Sequence, residues 1–430
     1  MYTHGLFTRN QRVSRWLMVA LAVLLVLASA PRCPGEQSTT TAVITDRAEL
    51  AASDQFGMLS QVRLADTGDV FFASGGNTAL FRWSQAAGTR SRLLQTNDPL
   101  DVLGPALPEE YAGSLLDGTG MLLQVNAAGH AAFVACAAIK GERDPAAVFV
   151  YDGSSYRLVD TSISTFTQVL LNNRDRVAVL GASDPLNVGP MAIYVETDSG
   201  VVNVAGQNQP VPPNPAGVTG TIGSFPQLVG FNDAGQLAFL ANIQNGNVNR
   251  ALFLFDGQSL RLVAGSGGSV GGNFSLPTGT PQYGVNYALD GGGRVAFFSS
   301  KGSEQPAIWI GDASDSPKKL VGLGESSGVT EWGNCSAPLW LRGFNDAGKV
   351  LYDCNTAGGP NYALFLKGLT DPVAQVVFHR GQPGGPKGET FYVAEQAMLN
   401  NPGKVVFLAR SANYEWGWYL GSAAPAPPLT

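Results

Sequence analysis

Along most of the chain, short apolar runs alternate with compact polar turns, and the same order returns at long intervals. The stretch Gly230 to Asn242 shows the unit. An apolar run enters, Asn232-Asp-Ala-Gly235 turns the chain, and Leu237-Ala-Phe-Leu-Ala241 leaves. The runs are too short for helices and rich in β-branched and aromatic residues, which marks them as strands. Asn or Asp at the start of the turn hydrogen-bonds its own backbone, and Gly at the end takes a positive φ at little cost.

The device appears as Leu64-Ala-Asp-Thr-Gly68, Val125-Asn-Ala-Ala-Gly129 and Leu171-Asn-Asn-Arg-Asp175, then as the stretch above. It returns as Leu289-Asp-Gly-Gly-Gly293, Phe344-Asn-Asp-Ala-Gly348 and Leu399-Asn-Asn-Pro-Gly403. Asp175 stands in the glycine slot, which Asp tolerates better than most residues. A second hairpin follows, clearest in Ala251-Leu-Phe-Leu-Phe-Asp256, Gly257 and Leu260-Arg-Leu-Val-Ala264. Asp-Gly between apolar runs is a strong hairpin marker. Each unit therefore holds four antiparallel strands, a to d, and seven units predict an all-β, seven-bladed β-propeller over residues 41–421. A solenoid is the alternative, but its rungs are usually shorter and its ends need caps.

The last unit lacks a strand d, because the Pro/Ala-rich tail 422–430 cannot join a ladder. Thr41-Ala-Val-Ile-Thr-Asp46 is an apolar run with no partner of its own. Residues 41–46 are expected to supply the missing strand and close the ring.

Composition fits this picture. Charged residues make up 14% of the chain and hydrophobic ones 44%, with 53 Gly and 26 Pro, the profile of a turn-rich β protein rather than of disorder. A net charge of −6 without Lys/Arg clusters argues against a nucleic-acid partner. Residues 1–30 read as a secretory signal: Arg9, Arg12 and Arg15 precede the apolar run Trp16 to Ala28, and small residues follow. The run is too short for a comfortable span, and no second one follows, so no transmembrane span is expected after signal removal. Residues 31–40 read as a linker. The expected location is outside the cytoplasm, secreted or at the cell surface.

Four cysteines fit an oxidising compartment. Cys335 and Cys354 flank a predicted hairpin and are the candidate disulfide; turning the chain at Asn345 to Gly348 puts Cys354 opposite Leu339. Cys136 reads as a buried thiol, and Cys33 follows residues unsuited to a lipidation signal. No CxxC, H-E-x-x-H or calcium-loop spacing exists, so no metal and no cofactor is expected.

The pattern N-x-x-G-x-V-A-F, carried best by Asn232-Asp-Ala-Gly235-Gln-Leu-Ala-Phe239 and Asn345-Asp-Ala-Gly348, resembles secreted bacterial tandem-repeat proteins of unknown function. The resemblance covers roughly residues 41 to 420. It implies a propeller outside the cell, often with a C-terminal anchoring segment that is not recognisable in this sequence, and it brings no catalytic residues with it.

Two G-x-S-x-G matches, around Ser269 and Ser326, lie in glycine-rich d–a loops, where a hydrolase elbow would need a strand before and a helix after. His130 and His379 have no spaced partners and read as ordinary strand or surface residues. The d–a and b–c connections share one face. Tyr283, Tyr287, Trp332, Trp340 and Tyr414 lie in or beside them and are the candidate partner-binding residues, suited to stack on sugars or anchor a protein. The function expected is a non-catalytic binding or structural module for a protein or glycan. The alternative is a propeller-type glycan lyase or hydrolase with acids at the central channel.

Overall fold

The computed structural model describes residues 41–44, 61–73, 79–95, 98–99, 115–117, 123–139, 142–159, 163, 165–183, 189–268, 270–278, 285–312, 314–383, 390–411 and 416–424. The chain divides into Met1–Gln37, which contains the predicted signal and lies outside the described residues, and Ser38–Thr430. Cys33, Tyr283, Tyr414, Ser269 and most of the predicted linker and tail also lie outside them.

The chain folds as a β-propeller of seven antiparallel blades. The first strand is β1 (Thr41–Ile44). Blade 1 follows with β2 (Gln61–Leu64), β3 (Val70–Ala73), β4 (Ala79–Ser84) and β5 (Thr89–Gln95). Blade 2 has a divided inner strand, β6 (Leu115–Asp117) and β7 (Leu123–Val125), both paired with β8 (Ala131–Ile139), then β9 (Glu142–Tyr151) and β10 (Tyr156–Val159). Blade 3 is β11 (Thr165–Leu171), β12 (Val177–Ala182), β13 (Ala192–Thr197) and β14 (Gly200–Gly206). Blade 4 is β15 (Thr221–Phe231), β16 (Leu237–Gln244), β17 (Arg250–Phe255) and β18 (Leu260–Ser266). Blade 5 is β19 (Tyr287–Leu289), β20 (Val295–Ser299), β21 (Ala307–Gly311) and β22 (Lys318–Gly322). Blade 6 is β23 (Cys335–Phe344), β24 (Val350–Thr356), β25 (Ala363–Lys367) and β26 (Gln375–His379). Blade 7 contributes β27 (Phe391–Leu399), β28 (Lys404–Ser411) and β29 (Trp416–Ser422).

The seventh blade is completed from the other end of the sequence. β1 pairs antiparallel with β29, Thr41 opposite Leu420 and Ile44 opposite Trp418, giving the strand order β1-β29-β28-β27. The expectation that the N-terminal strand closes the ring therefore holds.

The middle strands are apolar on both faces because each blade is covered on both sides. In β16, Leu237, Phe239, Ala241 and Ile243 pack toward blade 3, while Ala238 and Leu240 pack toward blade 5. The period of two thus feeds two interfaces, and the strand reads as a continuous apolar run. Seven buried clusters among the described residues correspond to the seven blade–blade interfaces, including blade 7 on blade 1 through Trp418, Leu420, Val406, Phe72 and Trp83. Inner strands approach closely near the axis. A Cβ at Gly230 would lie 2.6 Å from the Leu289 Cβ, so only glycine lets β15 reach β19 there.

Cys335 and Cys354 form a disulfide that ties β23 to β24, with Cys354 in register with Leu339. It closes a sequence separation of 19 residues. Chain-entropy reasoning gives such a crosslink about 3 kcal/mol. Urea unfolding with and without reductant is expected to differ by that order, and superimposable curves would show that the bridge adds nothing.

Candidate functional site

The a–b turns meet around the axis and build one mouth of the central channel. In five blades the turn opens with a buried asparagine whose two amide atoms do different work. The Oδ1 atoms cap their own turns, as where Asn232 accepts the Gln236 N–H at 3.0 Å and Asn345 the Lys349 N–H at 2.9 Å. The Nδ2 atoms reach the next blade. Asn126 donates to the Asn172 carbonyl (3.0 Å), Asn172 to Asn232 (3.1 Å), Asn232 to Asp290 (3.1 Å), Asn345 to Asn400 (3.2 Å) and Asn400 to Ala65 (3.0 Å). Every link runs from one blade to its successor, and the last joins blade 7 to blade 1.

The two blades without this asparagine use other means. Blade 1 has Ala65, and the Asp66 N–H donates to the Ala127 carbonyl at 3.0 Å. Blade 5 has Asp290, which accepts the Arg294 Nε at 2.7 Å, while that guanidinium lies over the Phe344 ring of blade 6. Blade 3 differs in the glycine slot. Asp175 takes φ +59°, and its carboxylate accepts from Asn126 Nδ2 and sits 2.8 Å from His130 Nδ1. A residue read only as a tolerated exception thus bridges two turns, and His130 has a partner that its sequence neighbourhood does not show.

The position after each asparagine lines a cavity of about 180 Å³. Asp66, Asp233 and Asp346 bring carboxylates to it, alongside Asn173 and Asn401. These groups also join neighbours: Asp66 Oδ1 accepts the Asn401 N–H at 2.8 Å, and Asp233 Oδ1 accepts the Asn173 N–H at 2.6 Å. Burial pushes the Asp66 and Asp346 carboxyls above the ordinary aspartate range, and the charge of Asp233 adds to both shifts. Among the described residues, no group of three or more His, Cys, Asp or Glu side chains is arranged to hold a metal ion.

A carboxyl whose pKa is raised on folding binds its proton more tightly in the folded chain. Its contribution to stability therefore falls as pH rises from the ordinary aspartate value through the raised one. Asp346→Asn, which keeps an oxygen for the Gly291 N–H, is expected to raise Tm at pH 7. The gain should shrink as pH falls through the raised range, where the wild-type carboxyl takes up its own proton. Thermal melts over a series of falling pH values decide it, and an equal gain throughout would remove charge as the cause.

At the opposite mouth, where b–c and d–a connections emerge, two of the five aromatic residues expected from sequence to meet a partner are buried. Tyr287 is 2% exposed, packs in the blade 4–5 core and donates its hydroxyl to the Pro277 carbonyl at 2.8 Å. Trp332 is 1% exposed in the short turn Thr330–Trp332 and packs edge-on against Phe365 and His379. Neither ring has a face to offer a partner, because Phe274 and Leu276 pack with Tyr287 in one blade interface and Val329 packs with Trp332 in the next. Trp340 is half-buried on β23. Ser326 is exposed in a tight turn and accepts the Gly328 N–H, with no α-helix after it.

Beneath this face lies a charged core. Arg342, 5% exposed, meets Asp353, 0% exposed, through two parallel bonds, Nε to Oδ1 at 2.8 Å and Nη2 to Oδ2 at 2.7 Å. Arg342 Nη1 also reaches the Glu395 carbonyl of blade 7 at 2.6 Å. The Tyr362 hydroxyl stands 2.6 Å from both Asp353 Oδ2 and the Ala394 carbonyl. Burial opposes charge on Arg342, yet Asp353 outweighs it and holds the guanidinium above its ordinary value. Above this core, Tyr392 is exposed at the start of β27. Arg380 lies 4.1 Å and Arg410 5.0 Å from its ring centre, and Arg410 also lies over Trp416 at 5.4 Å.

Seven four-stranded blades around such a channel define a β-propeller. Within that class the chain belongs to DUF7453, a family of unknown function, whose model matches residues 171–422, from the inner strand of blade 3 to the end of blade 7. No curated protein matches the sequence. Among solved structures it is similar to an acylaminoacyl peptidase of Pyrococcus horikoshii (11% identity, TM-score 0.47, covering 84% of this chain and 50% of that one). The chain thus spans about half the length of that peptidase. It is also similar to YCF48 bound to D1 peptide (13% identity, TM-score 0.41, 91% and 98% covered). A third similarity is to the polysaccharide lyase Uly1 (8% identity, TM-score 0.43, 91% and 99% covered). Nothing about activity follows from similarities at this level.

Proposed function

We propose that the protein is an extracytoplasmic, non-catalytic binding module that recognises a protein or glycan through the face carrying the b–c and d–a connections. The observation that supports this is the division of labour between the two mouths. At the a–b mouth, asparagine and aspartate side chains are committed to links between blades. At the other, an exposed tyrosine and its flanking guanidiniums sit on an ion-paired support. The signal-like residues 1–30 support export.

Oriented immobilisation tests the choice of face. Anchoring the chain through Ala234→Cys at an a–b turn leaves the opposite face free, whereas anchoring through Ser303→Cys on the b–c connection of blade 5 covers it. Glycan and protein ligands are expected to be retained only in the first orientation. Equal retention in both would overturn the assignment.

One observation favours a second reading, a glycan lyase or hydrolase: Asp66 and Asp346 have raised pKa values and line the same cavity, a pattern common at catalytic sites. Chain shortening of a polysaccharide that is lost in Asp66→Asn or Asp346→Asn would favour this reading over the first.

A further inference from the structure

We propose that the connection from β14 to β15 presents residues 210–215 as a polyproline II ligand for a partner protein whose groove is lined by aromatic rings. This rests on the reading that the loop-rich face meets a partner, and it names the chemistry of that partner.

The sequence sets the backbone of this segment. Pro210-Val-Pro-Pro-Asn-Pro215 holds four prolines in six residues. Each proline fixes its own φ at about −65°, and a residue ahead of a proline is pushed out of the helical region toward β or polyproline II geometry. Over 209–215 every residue is either a proline or stands directly before one. The peptide bonds before all four prolines are trans.

Polyproline II has about three residues per turn, so residues three apart share an edge. The contacts follow that period. Val211 and Asn214 form the inward edge. Val211 packs against the core between blades 3 and 4. Asn214 Oδ1 accepts the Val218 N–H at 2.9 Å, and its Nδ2 donates to the Pro212 and Val218 carbonyls at 3.1 and 2.9 Å. The other two edges are Pro210 with Pro213 and Pro212 with Pro215. Pro210, Pro213 and Pro215 are exposed, and Pro212 is half-buried. The upstream end is held as well, by the Asn208 N–H on the Ile222 carbonyl (2.8 Å) and the Val211 N–H on the Gly220 carbonyl (3.0 Å). The segment is a short rod pinned along one edge, with two ridges of proline turned outward.

Val211 and Asn214 suffice to anchor the crossing from blade 3 to blade 4, so the outward prolines are left for another use. Two proline ridges on a preformed rod suit a groove of aromatic rings, the recognition mode of proline-rich segments. Order is in place before contact, so association costs little backbone entropy. The groove needs no complementary charge, because residues 199–232 include no Asp, Glu, Lys, Arg or His. Other occupants fit less well. A glycan calls for exposed rings to stack on, and residues 207–220 contain none. A nucleic acid or an anionic lipid surface calls for cations, which are also missing there.

The test uses the full chain and three isotope-labelled probes, an SH3, a WW and an EVH1 domain, whose grooves are of this kind. At least one is expected to show shift changes confined to its aromatic groove, reversed by a competing proline-rich peptide. The double variant Pro210→Ala, Pro213→Ala and the single variant Pro215→Ala, one on each ridge, are each expected to weaken that binding about tenfold or more. Pro317→Ala, on the c–d connection of blade 5 at the other face, should leave it unaltered. Thermal melts close to wild type show that the variants fold. Raising salt from about 0.05 M to about 0.5 M should change the affinity less than about twofold, since no charge pair forms. Binding by none of the three probes overturns the proposal, as does binding untouched by the proline variants or falling steeply with salt. Self-association of the chain that the proline variants abolish also overturns it, because the occupant is then a second copy. If a probe that needs the prolines is retained equally by chain anchored through Ala234→Cys and through Ser303→Cys, the proline segment stands and the face assignment fails. If no probe binds while some other ligand is retained only with the loop-rich face free, the face assignment stands and the proline segment fails.

Discussion

Replacing Asp353 with alanine is expected to lower the unfolding free energy by about 3–5 kcal/mol, the loss seen when one partner of a buried ion pair is removed. The cost comes from what remains. Arg342 is buried, keeps its charge at any ordinary pH, and would lose both carboxylate bonds while keeping the Glu395 carbonyl at 2.6 Å. The Tyr362 hydroxyl would also lose one of its two acceptors. Asp353→Asn should fall between, since it keeps the oxygens' shape on one side but not the charge. The double variant Arg342→Met, Asp353→Leu should recover much of the loss, because replacing a buried pair by apolar groups is often neutral or better. Urea unfolding of the wild type and the three variants makes the comparison. A loss below about 1 kcal/mol for Asp353→Ala, within the usual range of a surface pair, would show that water reaches the pair.

Deleting residues 38–47 is the second large effect. It removes β1 and leaves the outer edge of β29 unpaired. At about 0.5–1.5 kcal/mol for each backbone hydrogen bond lost, a four-residue strand is worth a few kcal/mol. The exposed edge adds a tendency to pair with other chains. Tm should fall by several degrees, and light scattering should rise at the same time. A synthetic peptide of residues 38–47 should raise Tm with the logarithm of its concentration above Kd, because it binds only the folded truncated chain. An unchanged Tm after truncation would mean that blade 7 closes on the Trp418, Leu420, Val62 and Phe72 interface alone.

The blades were legible because their signals are local. An Asn-Asp-Ala-Gly turn between apolar runs declares a hairpin without reference to the rest of the chain, and a missing last strand declares a borrowed one. The link between blades was not legible. Reading Asn232 as a turn former accounts for its oxygen but leaves its nitrogen unassigned, and the acceptor, Asp290, lies 58 residues away. A clue was present: an oxygen alone would be met equally well by Asp or Ser, yet five turns use Asn. Arg342 and Asp353 also left a trace, as single charges inside the apolar runs Leu-Trp-Leu-Arg-Gly-Phe and Leu-Tyr-Asp-Cys, where isolated charges call for each other. Tyr287 and Trp332 mislead because nearness to a loop in sequence does not entail exposure. Tyr392 is hidden in the sequence for the opposite reason. Phe391-Tyr-Val-Ala looks like an ordinary strand start, and a register slip has no signature in the residue types.

The inter-blade amides also set how the protein ages. Hydrolysis of one asparagine side chain adds a single mass unit and turns a donor into an acid, so that two oxygens would then face each other where Asn172 now donates to Asn232. The reaction proceeds through attack by the following backbone nitrogen, and a following glycine favours it most. Behind the five asparagines stand Ala127, Asn173, Asp233, Asp346 and Asn401, never glycine. Four of those nitrogens already donate to a neighbouring blade: Ala127 to Asn173, Asn173 to Asp233, Asp346 to Asn401 and Asn401 to Asp66. The contacts that hold the blades in sequence thus also occupy the atoms that would begin their chemical decay.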